Sequence, residues 1–137
     1  MAVVVFDAAV LVGYLNRDDA HHARAVRRMG ESVGEGVRRL LCAVNYSEVL
    51  VGPVTTHGAR GGEIVDALLV SFNIETIAVN MDLAHRAAAV RARTKLKLPD
   101  AYAIATAIHA EKHGWGDVRL ESCDRRVLNA YAKLRAA

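Results

Sequence analysis

Four acidic residues sit where the surrounding sequence gives a carboxylate a chemical use. Asp7 directly follows the apolar run Val3–Phe6, Glu48 lies within the apolar stretch Val44–Val51, Asp100 follows Leu98-Pro99, and Asp124 stands in Ser122-Cys123-Asp124-Arg125. Carboxylates gathered without fixed cations raise one another's pKa, and a bound divalent cation removes that penalty. Mg²⁺ and Mn²⁺ take oxygen ligands in octahedral geometry and keep several waters. Such an ion activates water and stabilises charge developing on a phosphate. In a chain of net charge +3, an acidic cluster points to phosphodiester hydrolysis.

Each acid also has a local reading. Asp7, Asp100 and Asp124 precede or begin expected helices, where Asp is a favoured cap, and capping and metal binding can coexist. Glu48 has no capping role open to it, and its alternative is a plain solvent-facing side chain. The combination carries the case, not any one residue.

The elements that must position these groups alternate along the chain. Val3–Phe6 reads as a strand covered on both faces. Asp7 opens a short helix over 8–15, and Asp18 and Asp19 can cap a second through about Met29. After a loop over 30–36, residues 39–44 read as a second buried strand and 45–51 as a helix that Pro53 ends or kinks. A helix over 59–70, a strand over 74–79 and an amphipathic helix over 82–94 follow. Leu98-Pro99-Asp100 starts a helix over 100–113, then come a strand over 118–122 and a helix over 125–133. Alternating strands and helices imply parallel strands, right-handed crossovers and a helix–sheet–helix sandwich. Functional groups in such sheets gather beyond the carboxyl ends of the strands, where strand order reverses. All four acids fall there.

Composition agrees. A chain of 137 residues, 53% hydrophobic and 24% charged, fits one compact domain and excludes a disordered tail or a collagen-like repeat. With only 5% aromatic residues, the core must be aliphatic, which favours helices on a sheet over an aromatic-rich barrel. Cys42 and Cys123 are in no metal or redox spacing and read as reduced thiols. The absence of a signal-peptide pattern and of an apolar run near the roughly 20 residues that span a bilayer leads us to expect a cytoplasmic protein with no membrane partner.

These residues also carry a resemblance. Val3-Val4-Val5-Phe6-Asp7-Ala8-Ala9-Val10-Leu11, Ser47-Glu48, the long match Leu98-Pro99-Asp100-Ala101-Tyr102-Ala103-Ile104-Ala105-Thr106-Ala107, and Ser122-Cys123-Asp124-Arg125 resemble, in order, the four motifs of the PIN-domain family. The likeness covers essentially the whole chain as a single PIN domain over 1–137, and in length it is similar to VapC toxins of type II toxin–antitoxin pairs. It implies an α/β fold, a PIN-like α/β/α sandwich around a parallel sheet of four or five strands. It also implies a Mg²⁺-dependent endoribonuclease, with Mn²⁺ as a second possible cofactor. By position, Asp7, Glu48, Asp100 and Asp124 would be the catalytic and metal-binding quartet. A cognate VapB-type antitoxin, an RNA substrate and a homodimer are the implied partners. An antitoxin helix would enter a groove between the helices at Asp18–Met29 and Asn45–Val70. Two departures stand out. Ala9 replaces the family's common Ser or Thr two residues after the first Asp, and little chain follows the last helix to form a fifth strand.

Other signals leave alternatives open. Arg91, Arg93, Lys95 and Lys97, with Arg86 before them, lead into the Asp100 motif and would grip RNA phosphates, or else form a solvated helix face. Arg125 and Arg126 share both readings. His109 and His113 are four apart but have no third nitrogen or sulfur ligand, and read as surface histidines near a helix end. Gly58, Gly61 and Gly62 lack the Lys-Ser/Thr ending of a phosphate loop. An aspartyl-phosphate enzyme using Asp7 is disfavoured by Ala9, where such phosphatases usually carry a second Asp. A catalytically weak or inert PIN-like module that binds RNA or a partner remains the alternative function.

Overall fold

The opening apolar run shows no polar alternation because both of its faces are covered. In the computed structural model, which describes residues 1–136, β1 (Ala2–Phe6) sends Val3 and Val5 into one buried layer and Val4 and Phe6 into the other. Then follow α1 (Ala8–Leu15), α2 (His22–Glu31), β2 (Val37–Cys42), α3 (Ala43–His57), α4 (Ala59–Ser71), β3 (Ile74–Ile77), α5 (Met81–Thr94), α6 (Leu98–Lys112), β4 (Asp117–Glu121) and α7 (Arg125–Ala136). Every strand pair is parallel, in the order β3-β2-β1-β4. Val10, Leu11, Met29, Val49, Val65 and Leu68 of α1–α4 cover one face, while Leu83, Val90, Ile104, Ala107, Val127 and Tyr131 of α5–α7 cover the other. The result is the expected α/β/α sandwich. Among the described residues the sheet has four strands. No helix is long and apolar enough to cross a membrane.

Several boundaries differ from expectation, each for a local reason. Asp18 and Asp19 do not cap α2. Asp19 Oδ1 instead accepts the His21 N–H at 2.8 Å, shaping a turn before the helix. The register Ala2↔Val37 through Phe6↔Leu41 ends β2 at Cys42, so Ala43 and Val44 open α3. β3 stops at Ile77 because Asn80 caps α5, its Oδ1 accepting the Leu83 N–H at 2.9 Å. α6 begins at Leu98, since Pro99 falls in the first turn, where no intrahelical N–H is required.

Pro53 does not end α3, which runs on to His57. Gly58, at φ +61°, then turns the chain into α4. α4 packs so closely that a Cβ on Gly61 would lie 2.2 Å from the Pro53 carbonyl oxygen. These glycines make a helix crossing. Arg39, buried within β2, ties helix ends to the sheet: its Nε donates to Phe72 O at 2.6 Å and its Nη1 to Ser32 O at 3.1 Å. Ser32 and Phe72 close α2 and α4, so one cation meets two helix carboxyl termini, where positive charge is favoured.

Candidate functional site

The chain runs outward from β1 to β2 and β3, then crosses back to place β4 on the other side of β1. Strand order therefore reverses between β1 and β4, and a crevice opens beyond their carboxyl ends. Asp7 follows β1, and its backbone N–H donates to Glu121 O, at the end of β4, at 3.2 Å. Its side chain is almost wholly buried, and Oδ1 accepts the Val10 N–H at 3.3 Å, capping α1. Asp100 is in the first turn of α6 but is not its cap, a position taken by Lys97. Asp124 opens α7, and its Oδ1 accepts the Arg126 N–H at 2.9 Å. Glu48 projects from the second turn of α3 and is exposed.

The electrostatics of the four are coupled, with Asp100 their common neighbour. Burial pushes the Asp7 carboxyl up to about 6, and the Asp100 and Glu48 charges push the same way, while a hydrogen bond with Ser122 and the Val10 N–H hold it down. Desolvation also raises Glu48, with Asp100 adding to it and Asn45 and Lys97 opposing. Asp100 is raised by burial and then by Asp124, against Arg126 and Lys97. Asp124 goes the other way. Its carboxylate is lowered chiefly by Arg126, whose Nη2 donates at 2.9 Å. Three acids held above their ordinary range in one crevice form a site that a cation would relieve, and the donors are oxygens of the kind Mg²⁺ and Mn²⁺ prefer. Among the described residues, the quartet presents no three ligand oxygens within 4.8 Å of one another. As the side chains stand, an ion would touch one or two carboxylates directly and meet the others through water, the habit of Mg²⁺.

Asn45 escaped the sequence reading. It is fully buried, and its Nδ2 donates to Glu48 Oε1 at 3.1 Å and to Pro99 O at 3.0 Å. One side chain thus sets the Glu48 rotamer and ties α3 to the start of α6. The available signal was an Asn one helical turn before the acid. Ser122 lies below the crevice, its hydroxyl accepting the Asp124 N–H at 2.9 Å. It brings to Asp7 a hydroxyl that Ala9, which is exposed, does not.

The basic run divides. The Arg91 guanidinium donates to Leu96 O and steadies the α5–α6 turn. Lys97 acts on Glu48 and Asp100. Arg93 and Lys95 line a cleft of about 560 Å³ together with Arg126 and Lys133 of α7. A second cleft, of about 540 Å³, is lined by Val12 and Leu15 of α1, Glu48, Val51 and Pro53 of α3, and Ile64 of α4. This cleft is bounded by α1, α3 and α4; in α2, Ala25 and Met29 are spent in the core while Val26 stays exposed.

Comparison with known proteins agrees with this architecture. The PIN domain family model matches residues 4–134. Among solved structures, Mycobacterium tuberculosis VapC20, described as a sarcin–ricin-loop-cleaving toxin, superposes with a TM-score of 0.64 at 19% identity, covering 98% of this chain and 95% of that one. VapBC-1 from nontypeable Haemophilus influenzae gives 0.68 at 10% identity, over 97% and 94%. A toxin–antitoxin complex from Klebsiella pneumoniae gives 0.58 at 25% identity, over 90% and 87%. No curated protein matches the sequence.

Proposed function

This chain belongs to the PIN-domain family of nucleases, and from that premise we propose that it is a Mg²⁺- or Mn²⁺-dependent endoribonuclease toxin of the VapC type, acting on cytoplasmic RNA and neutralised by a VapB-type antitoxin. The observation that carries the reading is the placement of the acids at the ends of β1 and β4: Asp7 is bonded through its N–H to the end of β4, Asp124 follows that strand on Ser122, and Asn45 joins Glu48 to Pro99, the residue before Asp100. These four would hold the ion, one or two directly and the others through water. When bound, it would supply an activated water and offset charge growing on the phosphoryl oxygens.

The chain's own residues prepare and orient. Asp7 must give up its proton for an ion to bind, and Ser122 and the Val10 N–H stabilise its charged form. Asn45 fixes Glu48. Arg126 holds Asp124, and its exposed guanidinium is also within reach of a phosphate entering from the basic cleft. Lys97 adds positive potential at the scissile end of that path, while Arg93, Lys95 and Lys133 bind phosphates further along it. The apolar cleft at α1, α3 and α4 takes a helix of the antitoxin. Glu48 lines that cleft, so an occupant lies beside the acids. A homodimer belongs to the same reading.

The test is cleavage of a mixed cellular RNA pool by purified protein with Mg²⁺, Mn²⁺ or EDTA, beside Asp100→Asn. Metal-dependent cutting that falls by roughly 100-fold or more in the variant is expected, since the ion contributes several kcal/mol to the transition state. A folded, ion-binding wild type that cuts none of the pool would favour the inert binding module instead.

A further inference from the structure

We propose that Asp82, His109 and His113 form a second metal site, for one divalent transition-metal ion of the Zn²⁺ class, at the end of α6 remote from the acidic crevice. The sequence offers the two histidines no third nitrogen or sulfur ligand. The fold supplies an oxygen. α5 and α6 pack against each other so that Asp82, in the first turn of α5, meets the last turns of α6. One ligand atom from each of the three residues lies within 4.8 Å of the others.

The site has features that a chance surface cluster lacks. His109 Nδ1 is buried, has no hydrogen-bond partner, and faces Asp82 Oδ2 at 3.7 Å. That gap exceeds a hydrogen bond. It is close to the roughly 3.4 Å that separates two ligands bound tetrahedrally to one ion at about 2.0–2.1 Å. His113 Nδ1 donates to the His109 carbonyl at 2.9 Å, which fixes its tautomer and leaves Nε2 a lone pair, the outer-shell arrangement of metal-bound histidines. The two imidazoles stand with ring centroids 4.0 Å apart, and Trp115 packs edge-on to His109. Burial, then His113 and Arg86, lower the His109 pKa, while Asp82 opposes them; a histidine ligand binds in its neutral form. Asp82 and His113 are exposed, which gives an ion a path in and leaves a position for water.

The two sites differ in chemistry as well as place. Nine residues of helix, about 14 Å at 1.5 Å per residue, separate His109 from Asp100. Imidazole suits Zn²⁺, Ni²⁺ and Co²⁺, whereas an all-carboxylate crevice suits Mg²⁺ and Mn²⁺. An ion at Asp82–His109–His113 ties α5 to α6 and needs no nuclease activity to be detected.

Trp115 is the only tryptophan, and its ring centroid lies 5.4 Å from that of His109, so it reports on this site. Tag-free full-length protein, held in millimolar Mg²⁺, is titrated with Ni²⁺ while Trp115 fluorescence is followed, and Zn²⁺ is then added as competitor. Saturable one-to-one quenching is expected, with Zn²⁺ reversing it and raising the melting temperature. His113→Ala and, separately, Asp82→Asn should each weaken binding roughly 10–100-fold, while Asp100→Asn and the exposed neighbour variant His85→Ala leave it unchanged. Both site variants change exposed residues, and circular dichroism checks their fold. No quenching by micromolar Ni²⁺, or quenching in both site variants equal to that of wild type, overturns the proposal. Loss of quenching in Asp100→Asn alone would assign the ion to the acidic crevice instead.

Discussion

Asp7 carries two demands at one position. As the cap of α1 it must accept the Val10 N–H, and as a buried acid beside Asp100 and Glu48 it is pushed up to about 6. A carboxyl whose folded pKa exceeds its unfolded value binds its proton more tightly in the folded state. Without a divalent ion, the protein should therefore lose stability as pH rises from about 4 to about 6, with Asp7 costing about 3 kcal/mol at pH 7. Urea unfolding in EDTA at pH 4.5 and 7 measures this. Asp7→Asn keeps a capping oxygen, and its gain over wild type should be much larger at pH 7 than at pH 4.5. In wild type, Mg²⁺ affinity should climb through pH 6 as that proton is released. A stability difference between variant and wild type that does not change with pH would remove the burial penalty assigned to Asp7.

At the scale of elements, a close helix crossing and ion pairs to a buried acid brace the molecule around the site. Gly61 lets α4 approach α3, whereas a Cβ on the adjacent Gly62 would meet no other atom within 4 Å. Gly61→Ala should destabilise by about 1–3 kcal/mol through overpacking. Gly62→Ala should instead stabilise by up to about 1 kcal/mol through helix propensity. Chemical denaturation of the pair separates the two effects, and a Gly61→Ala midpoint at or above wild type would contradict the crossing. On the other side of the crevice, buried Glu121 receives Arg28 from α2 and Arg119 from its own strand, each at 2.8 Å. That pairing anchors α2 to the end of β4, beside the backbone bond that locks Asp7.

For the whole molecule, the two clefts flank the acids from different sides. The basic cleft joins the end of α5 to α7, so Lys95 and Lys133, 38 positions apart in sequence, contribute to one phosphate path. Lys95→Ala and Lys133→Ala each remove one cation from that path, and each should reduce the slope of log affinity against log salt by about 0.7 for single-stranded RNA. The measurement uses Asp100→Asn protein, which is expected to bind without cutting. Unchanged slopes would place the RNA elsewhere. The apolar cleft leaves Val51 and Ile64 exposed beside Glu48, which puts inhibitor and catalytic acids on a shared wall in the proposed reading.

The sequence by itself determined the elements and most of their order along the chain. Unbroken apolarity in Val3–Phe6 specified a strand buried on both faces, and Asp7, Asp100 and Asp124 followed as groups at strand ends or helix starts. These are local properties, fixed by neighbours in the chain. Tertiary structure decided what depends on residues far apart. The β1–β2 register ended β2 at Cys42, and the packing of α4 kept Pro53 inside a continuous helix. The contact of Asn45 with Pro99 and the meeting of Asp82 with His109 span 54 and 27 positions, so no local pattern announces them. The charge state of Asp7 belongs with these, because desolvation is a property of the folded surroundings and not of the residue.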